Sequence, residues 1–267
     1  MNLNKRAVIF EGEKKVYTHL VIASHQDDVE IMCPQGIVNC YDDEQKGLVA
    51  VIVSDGGGSP RSGRYQNFTN EQMSKERQKE QIEAAKIGRY AKLVMLNYPS
   101  REIHDCNPAV MNDLVEILSQ IKPKVVYTHN PADKHRTHIS VLKCALRALR
   151  ELDMELRPKK LYGCECWRDL DWLSDKDKVV FDLSGYRELL RDVLAVHKTQ
   201  IEGGKRYDLG AEGRRLANAV FYRSHNVDTL EMSSFAIDLT PLIEDDDLEL
   251  KKFILQKIEN FKREILV

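Results

Sequence analysis

Gly47–Ser54 reads GLVAVIVS, a near-continuous apolar run. Alternation of apolar and polar residues would mark a strand with one wet face. An unbroken run marks a strand covered on both faces, as in parallel sheets whose crossover helices lie on either side. Working outward, similar elements recur at Val16–Ser24 (VYTHLVIAS), Lys92–Asn97 (KLVMLN), Lys124–Thr128 (KVVYT) and Lys159–Trp167. Ile31–Tyr41, Glu71–Arg89, Ala109–Ile121 and His138–Leu152 read as the helices between them. This alternation predicts an α/β, Rossmann-like three-layer fold with a mostly parallel sheet. After Trp167 the rhythm weakens. Tyr186–Lys198 reads as a helix, Arg214–Tyr222 as a helix running into a strand, and Leu248–Leu266 as a terminal helix. The expectation is a core over about 16–200 with a C-terminal α+β extension over 201–267. No Pro/Gly/Ser-rich linker divides them, so residues 1–267 are expected to form a single domain.

The 267 residues are 42% apolar and 31% charged, enough apolar material for a packed core. Forty Lys and Arg against forty-two Asp and Glu leave a formal charge of −2. That balance offers no general attraction to nucleic acid or anionic lipid. No apolar run approaches the ~20 residues of a membrane span. Met1–Lys15 has scattered charge and no apolar segment, so no secretory leader is expected. The six cysteines (Cys33, Cys40, Cys106, Cys144, Cys164, Cys166) form no CxxC pair. They read as reduced, mostly buried thiols of a cytoplasmic protein, and a homo-oligomer is compatible with all of this.

The polar outliers cluster beyond the carboxyl ends of the expected strands. His25, Asp27 and Asp28 follow the first, Asp55–Gly58 the second, Tyr98–Glu102 the third, and His129, Asp133, His135 and His138 the fourth. That edge binds ligands in doubly wound sheets. A strand order of 3-2-1-4-5 would make the first and fourth strands neighbours at the topological switch point, with His25–Asp28 facing Asp133–His138. Two imidazoles and a carboxylate (His25, Asp28, His138) suit a divalent metal and leave a position for water, the usual form of a catalytic zinc site. Such a site lowers the pKa of water to ~7. Asp27 is placed as the general base, and His135 as a proton carrier or oxyanion stabiliser. Taken singly, each residue reads more simply. Asp133 would cap the helix beginning near His135, and His129 would be structural. Three of the eight histidines within ten residues favour the metal site. Zinc is the default, and sites of this kind also take iron(II) or cobalt.

These residues resemble the PIG-L/LmbE-like deacetylases, zinc-dependent hydrolases of N-acetylated amino sugars. The motifs are Ser24-His25-Gln26-Asp27-Asp28-Val29-Glu30, Ser54-Asp55-Gly56-Gly57, Arg77/Glu80/Ala84, His129-Asn130-Pro131-Ala132-Asp133-Lys134-His135-Arg136-Thr137-His138 and His197-Lys198-Thr199-Gln200. They run in order over roughly residues 17–200. The resemblance implies His25, Asp28 and His138 as metal ligands, Asp27 as general base and His135 as general acid or oxyanion stabiliser. It also implies Arg77 in the sugar site and a small N-acetylated glycoside or amino sugar as substrate. Asp133 and His197, within matching motifs, are counted with the substrate-binding residues. Two departures stand out. Thr137 replaces the Asp that supports the catalytic histidine, which implies a lower pKa for His135. Ser100-Arg101 replaces the Asp-Gly that reads sugar hydroxyls, which suggests an anionic or extended substrate touching Ser100 and Arg101.

Gly56–Gly58 invites a nucleotide-binding reading, but no phosphate-cradling motif follows. A lid bringing Arg61, Arg64 and Tyr65 to the substrate fits this polar loop better. A metal-dependent binding module is opposed by Asp27, a carboxylate with no purpose in mere binding. Another amide remains an alternative bond, whereas phosphoester cleavage more commonly uses two metals. Trp167-Arg168-Asp169-Leu170-Asp171-Trp172 could stack a sugar ring, although packing alone would account for it.

Overall fold

The five expected strands lie side by side in the inferred order in the computed structural model, which describes residues 1–104 and 107–266. In chain order the elements are β1 (Val8–Glu11), β2 (His19–Ala23), α1 (Asp28–Met32), α2 (Pro34–Tyr41), β3 (Leu48–Ser54), α3 (Asn70–Ile87), β4 (Lys92–Tyr98), α4 (Ser100–His104), α5 (Pro108–Ile121), β5 (Val125–His129), α6 (Arg136–Arg150), β6 (Lys160–Cys164), β7 (Lys178–Asp182), α7 (Arg187–Ala195), α8 (Lys198–Ile201), α9 (Tyr207–Phe221), β8 (Ser233–Asp238), α10 (Pro241–Glu244) and α11 (Leu250–Ile265). The sheet order is β1-β4-β3-β2-β5-β6-β8-β7. The inner strands β4-β3-β2-β5-β6 are parallel, while β1, β8 and β7 pair antiparallel.

Alternate residues of one strand feed opposite cores. Leu20 and Ile22 of β2 pack with Leu114, Leu118 and Val141 of α5 and α6. Val21 and Ala23 pack on the other side with Ile37 of α2, Ala85 of α3 and Val193 of α7. This is why GLVAVIVS has no polar alternation: all seven residues of β3 are buried, and both faces are covered.

Several boundaries differ from the expectation for identifiable reasons. The helix expected over Ile31–Tyr41 is broken at Cys33, because Pro34 disfavours the helical conformation in the residue before it. Arg214–Tyr222 does not run into a strand. Its helix, α9, begins at Tyr207, and the strands of this half are β7 and β8. β8 is inserted between β6 and β7, so the C-terminal segment enters the main sheet. Among the described residues, no helix is long and apolar enough to cross a membrane. Cys33, Cys40, Cys164 and Cys166 are buried free thiols. Cys144 is disulfide-bonded, unlike the reduced thiols expected throughout. Cys106 lies outside the described residues.

Candidate active site

The neighbouring pair β2 and β5 forms the switch point, and their carboxyl ends deliver the site. Beyond β2 the chain turns at Asp27, whose φ of +87° lies in the left-handed region. Asp28 then opens α1. A non-glycine residue held there stores backbone strain, a recurrent mark of functional positions. Beyond β5, Asp133 accepts from the His135 amide at 2.9 Å and the Trp167 amide at 3.0 Å. Asp133 does not cap α6 as expected. His135 does, its Nδ1 accepting from the Thr137 amide at 3.3 Å.

Three donor atoms meet at the centre. His25 Nδ1 lies 3.2 Å from Asp28 Oδ2, His138 Nε2 lies 3.3 Å from the same oxygen, and the two nitrogens are 3.3 Å apart. A tetrahedral ion with bonds of ~2.0–2.1 Å needs ligand atoms ~3.3–3.4 Å apart. The triangle therefore has the edge lengths of one face of such a site. A carboxylate oxygen and two imidazole nitrogens this close favour positive charge between them, supplied by a proton or by a cation. Burial alone would raise the Asp28 carboxyl, yet His138 and His25 hold it well below the usual range. Burial would likewise lower His138, yet Asp28 beside it holds it well above. The donor set fits a divalent cation.

His138 is oriented from behind. Its Nδ1 faces Asp133 Oδ1 at 3.3 Å, a charge contact that is not aligned as a hydrogen bond. A carboxylate in this position fixes a ligating imidazole. His129 stacks on the His138 ring at 3.9 Å between centroids, and its Nε2 accepts from the Ser24 amide at 3.0 Å. That bond leaves the proton of a neutral His129 on Nδ1. Cys166 Sγ donates to Asp28 Oδ1 at 3.5 Å, and burial pushes this thiol up. His129, Asp133, His138 and Cys166 thus form a second buried group of potential donors. Its Asp133 oxygens, however, already serve backbone amides.

Asp27 lies beside the triangle. Its carboxyl is pushed up to about 7, chiefly by burial and against the pull of Arg77. Arg77 Nη2 lies 3.2 Å from Asp27 Oδ1 and also donates to the Gln26 carbonyl. Arg77 Nη1 donates to Ser59 Oγ and, at 3.3 Å, to the Gly56 carbonyl. Arg77 therefore grips the base and the loop after β3. That loop is packed at its start. A Cβ on Gly56, where φ is +66°, would sit 2.1 Å from Gln26 Oε1. The Asp27 amide donates to Gln81 Oε1 at 3.0 Å, and Gln81 Nε2 donates to Glu30 at 2.8 Å. His135 is lowered to about 4, first by burial and then by His25 and His138. It is neutral at pH 7. With Nδ1 accepting from Thr137, its proton sits on Nε2. Thr137 Oγ1 meets His104 Nε2 at 3.2 Å.

The cleft over this centre is lined by His25, Asp27, Asp28, Arg77, Ser100 and His135 among the expected residues. His138 lies behind them. Four expected substrate contacts lie elsewhere. Asp133 is buried under His138. His197 is buried, its Nε2 3.0 Å from Glu30 Oε2, and Glu30 raises it against the lowering effect of burial. Arg101 is exposed and outside the cleft lining. Arg64 lies on the surface, paired with Glu202 at 3.0 Å. The cleft also contains Trp167, Gln200, Lys205 and Tyr207. Trp167 and Gln200 stood in stretches singled out by sequence. Lys205 and Tyr207 did not, and only the Gly203-Gly204 pair before them signals a turn.

Residues 20–149 match the family described as PIG-L, GlcNAc-PI de-N-acetylase. The uncharacterized deacetylase YaiS of Escherichia coli K12 is 26% identical over 143 residues, covering 50% of this chain and 68% of YaiS. Two solved structures show the shared fold. The N,N'-diacetylchitobiose deacetylase of Pyrococcus horikoshii superposes with a TM-score of 0.67 at 17% identity, covering 87% of each chain. The 4-carboxy-2-hydroxymuconate hydratase GalB of Pseudomonas putida KT2440 gives 0.62 at 16% identity, covering 83% of this chain and 96% of its own.

Proposed function

We propose that the protein is a metal-dependent N-deacetylase acting on an N-acetylated amino sugar or related small molecule, a reading supported by the match of residues 20–149 to the PIG-L family. The carrying observation is the triangle of His25 Nδ1, Asp28 Oδ2 and His138 Nε2 at the floor of the cleft, with edges of 3.2–3.3 Å, beside Asp27. Zinc is the default ion for such a nitrogen and oxygen set, and iron(II) and cobalt(II) suit it too. Bound there, a divalent cation would polarise the acetamide carbonyl and activate water.

The chain's own residues supply the remaining steps. Asp27, with a carboxyl poised near neutrality, takes the proton of the attacking water. It then returns that proton to the departing amine. His135, neutral and protonated on Nε2, donates a hydrogen bond to the developing oxyanion. This favours the stabiliser over the general acid in the two roles expected for it. Arg77 positions Asp27 rather than reading a sugar hydroxyl, since its Nη atoms are already engaged. The cleft holds about 240 Å³, below the ~300–1,000 Å³ of most small-molecule sites, which suits one sugar-sized unit at the reacting end. We read residues 1–267 as one domain that works in the cytoplasm.

The test is acetate release from N-acetylglucosamine-type substrates by metal-loaded protein. Turnover should disappear with chelator and return with zinc, iron(II) or cobalt. No acetate from any N-acetylated sugar, despite one bound metal per chain, would sink the proposal. GalB motivates a second reading, because water activation on this fold also serves a hydratase. Consumption of an unsaturated acid without acetate release would favour it.

A further inference from the structure

We propose that Lys205 is an anion-selecting residue of this cleft, so that the preferred substrate carries an oxyanion group (phosphate or carboxylate) on the N-acetylated unit. The inference rests on the deacetylase reading above and adds the charge of its substrate.

Lys205 is placed deliberately by the local chain. Beyond α8 the backbone reverses at Gly203 and Gly204. A Cβ on Gly203 would lie 2.0 Å from the Thr199 carbonyl oxygen, and Gly204 has φ +106°. The reversal is closed by the Lys205 amide donating to the Gln200 carbonyl at 2.8 Å. This returns Lys205 to the cleft beside Gln200, where both line the wall. The ammonium Nζ then sits 5.0 Å from the centroid of the Trp167 ring. An indole face holds a cation in place without neutralising it. The same ring lies 5.9 Å from His135, so Trp167 spans the distance between the reacting centre and the ammonium.

The other charges of the cleft are matched. Asp27 pairs with Arg77, and Asp28 with His25 and His138. The nearby carboxylates in sequence are engaged elsewhere: Glu202 pairs with Arg64 at 3.0 Å and Asp208 with Arg206 at 2.7 Å. Lys205 is left as a held cation with an aromatic partner and no carboxylate within ion-pair distance among the described residues. A substrate oxyanion supplies the missing charge, whereas a neutral sugar leaves it to water.

The experiment measures kcat/KM for acetate release by the full-length, metal-loaded protein at fixed ionic strength. Probes are N-acetylglucosamine, its 1- and 6-phosphates, and N-acetylmuramic acid, which carries a carboxylate. The expected result is at least a tenfold preference for one anionic probe over the neutral sugar. The phosphate and carboxylate arms tell which oxyanion is meant. Lys205→Met should bring the ratio to about one, Lys205→Glu should invert it, and Lys205→Arg should keep it. Equal values for neutral and anionic probes, or a preference that survives Lys205→Met, overturns the inference and leaves the deacetylase reading standing. If no probe releases acetate, that reading falls. The anion site is then judged by tryptophan-fluorescence titration with the anionic probes: saturable binding lost in Lys205→Met supports it, and equal binding by the variant overturns it.

Discussion

β2 carries a histidine at its amino end and leads to another just past its carboxyl end, and the two have opposite careers. His19 stacks on Tyr127 with 6.1 Å between ring centroids, and its Nδ1 meets Thr18 Oγ1 at 2.9 Å. Burial, then Lys46, lowers it to about 4. Among the described residues no carboxylate forms an ion pair with it, and its ring is packing. His25 meets Asp28 three residues further on, and His138 and His135 from the segment beyond β5. The residue type is the same, and so is the strand. What differs is the edge of the sheet. Parallel strands bring all their following loops to one edge, so polar side chains can converge only there. At the other edge a histidine meets single neighbours.

The largest expected break in this contrast comes from Asp27→Ala. Loss of a positioned general base should reduce turnover by about 10²–10⁴-fold while metal content, read by elemental analysis, stays at one per chain. An active Asp27→Ala enzyme would mean that the carboxyl edge holds a cation for some other purpose. Next is Asp133→Asn, which removes the charge behind His138. Metal affinity should weaken by about 10–100-fold in a chelator competition, as when other such supporting carboxylates are lost. A third test uses pH. Asp27 must be ionised to act, so kcat/KM should fall about tenfold per unit below its pKa. A bound cation draws that midpoint below the value near 7 set by burial. Since Arg77 favours the carboxylate, Arg77→Gln should move the acid limb to higher pH, and an unmoved limb would remove Arg77 from the base's environment.

The smallest effect belongs to the amino edge. The folded pKa of His19 lies below its unfolded value of 6.5. As pH falls through 6.5 the unfolded chain gains a proton that the folded chain refuses, so stability declines until about pH 4. The contribution is roughly 3–4 kcal/mol at ~1.4 kcal/mol per pKa unit. His19→Phe keeps a ring on Tyr127 and should flatten this part of the denaturant-melt profile with acetate release unaltered. A loss of activity would show that the two ends are coupled.

The inner sheet was legible because its strands are buried on both faces and interrupted by long amphipathic helices. β1 was not: four residues with alternating exposure, paired at an edge, carry little pattern. β7 and β8 were missed for a related reason, since short strands joined through a distant antiparallel partner leave no local period. The meeting of His25, Asp28 and His138 was legible because these residues sit in two compact clusters of the sequence. His197 misled because its motif is held from within, by Glu30, rather than by anything in the cleft. Lys205 was invisible because its role depends on an indole 38 positions earlier in the chain and 38% exposed on the far wall.

The insertion of β8 between β6 and β7 sets an order of events on the ribosome. Once Asp182 has emerged, β6 and β7 both exist without the strand that joins them. About fifty residues must follow before Ser233 begins that strand, or roughly 3–10 s at ~5–20 residues per second. During that interval β6 presents an open hydrogen-bonding edge, the kind of template on which nascent chains pair wrongly. The growing chain must therefore shield that edge until its own last quarter arrives to close it.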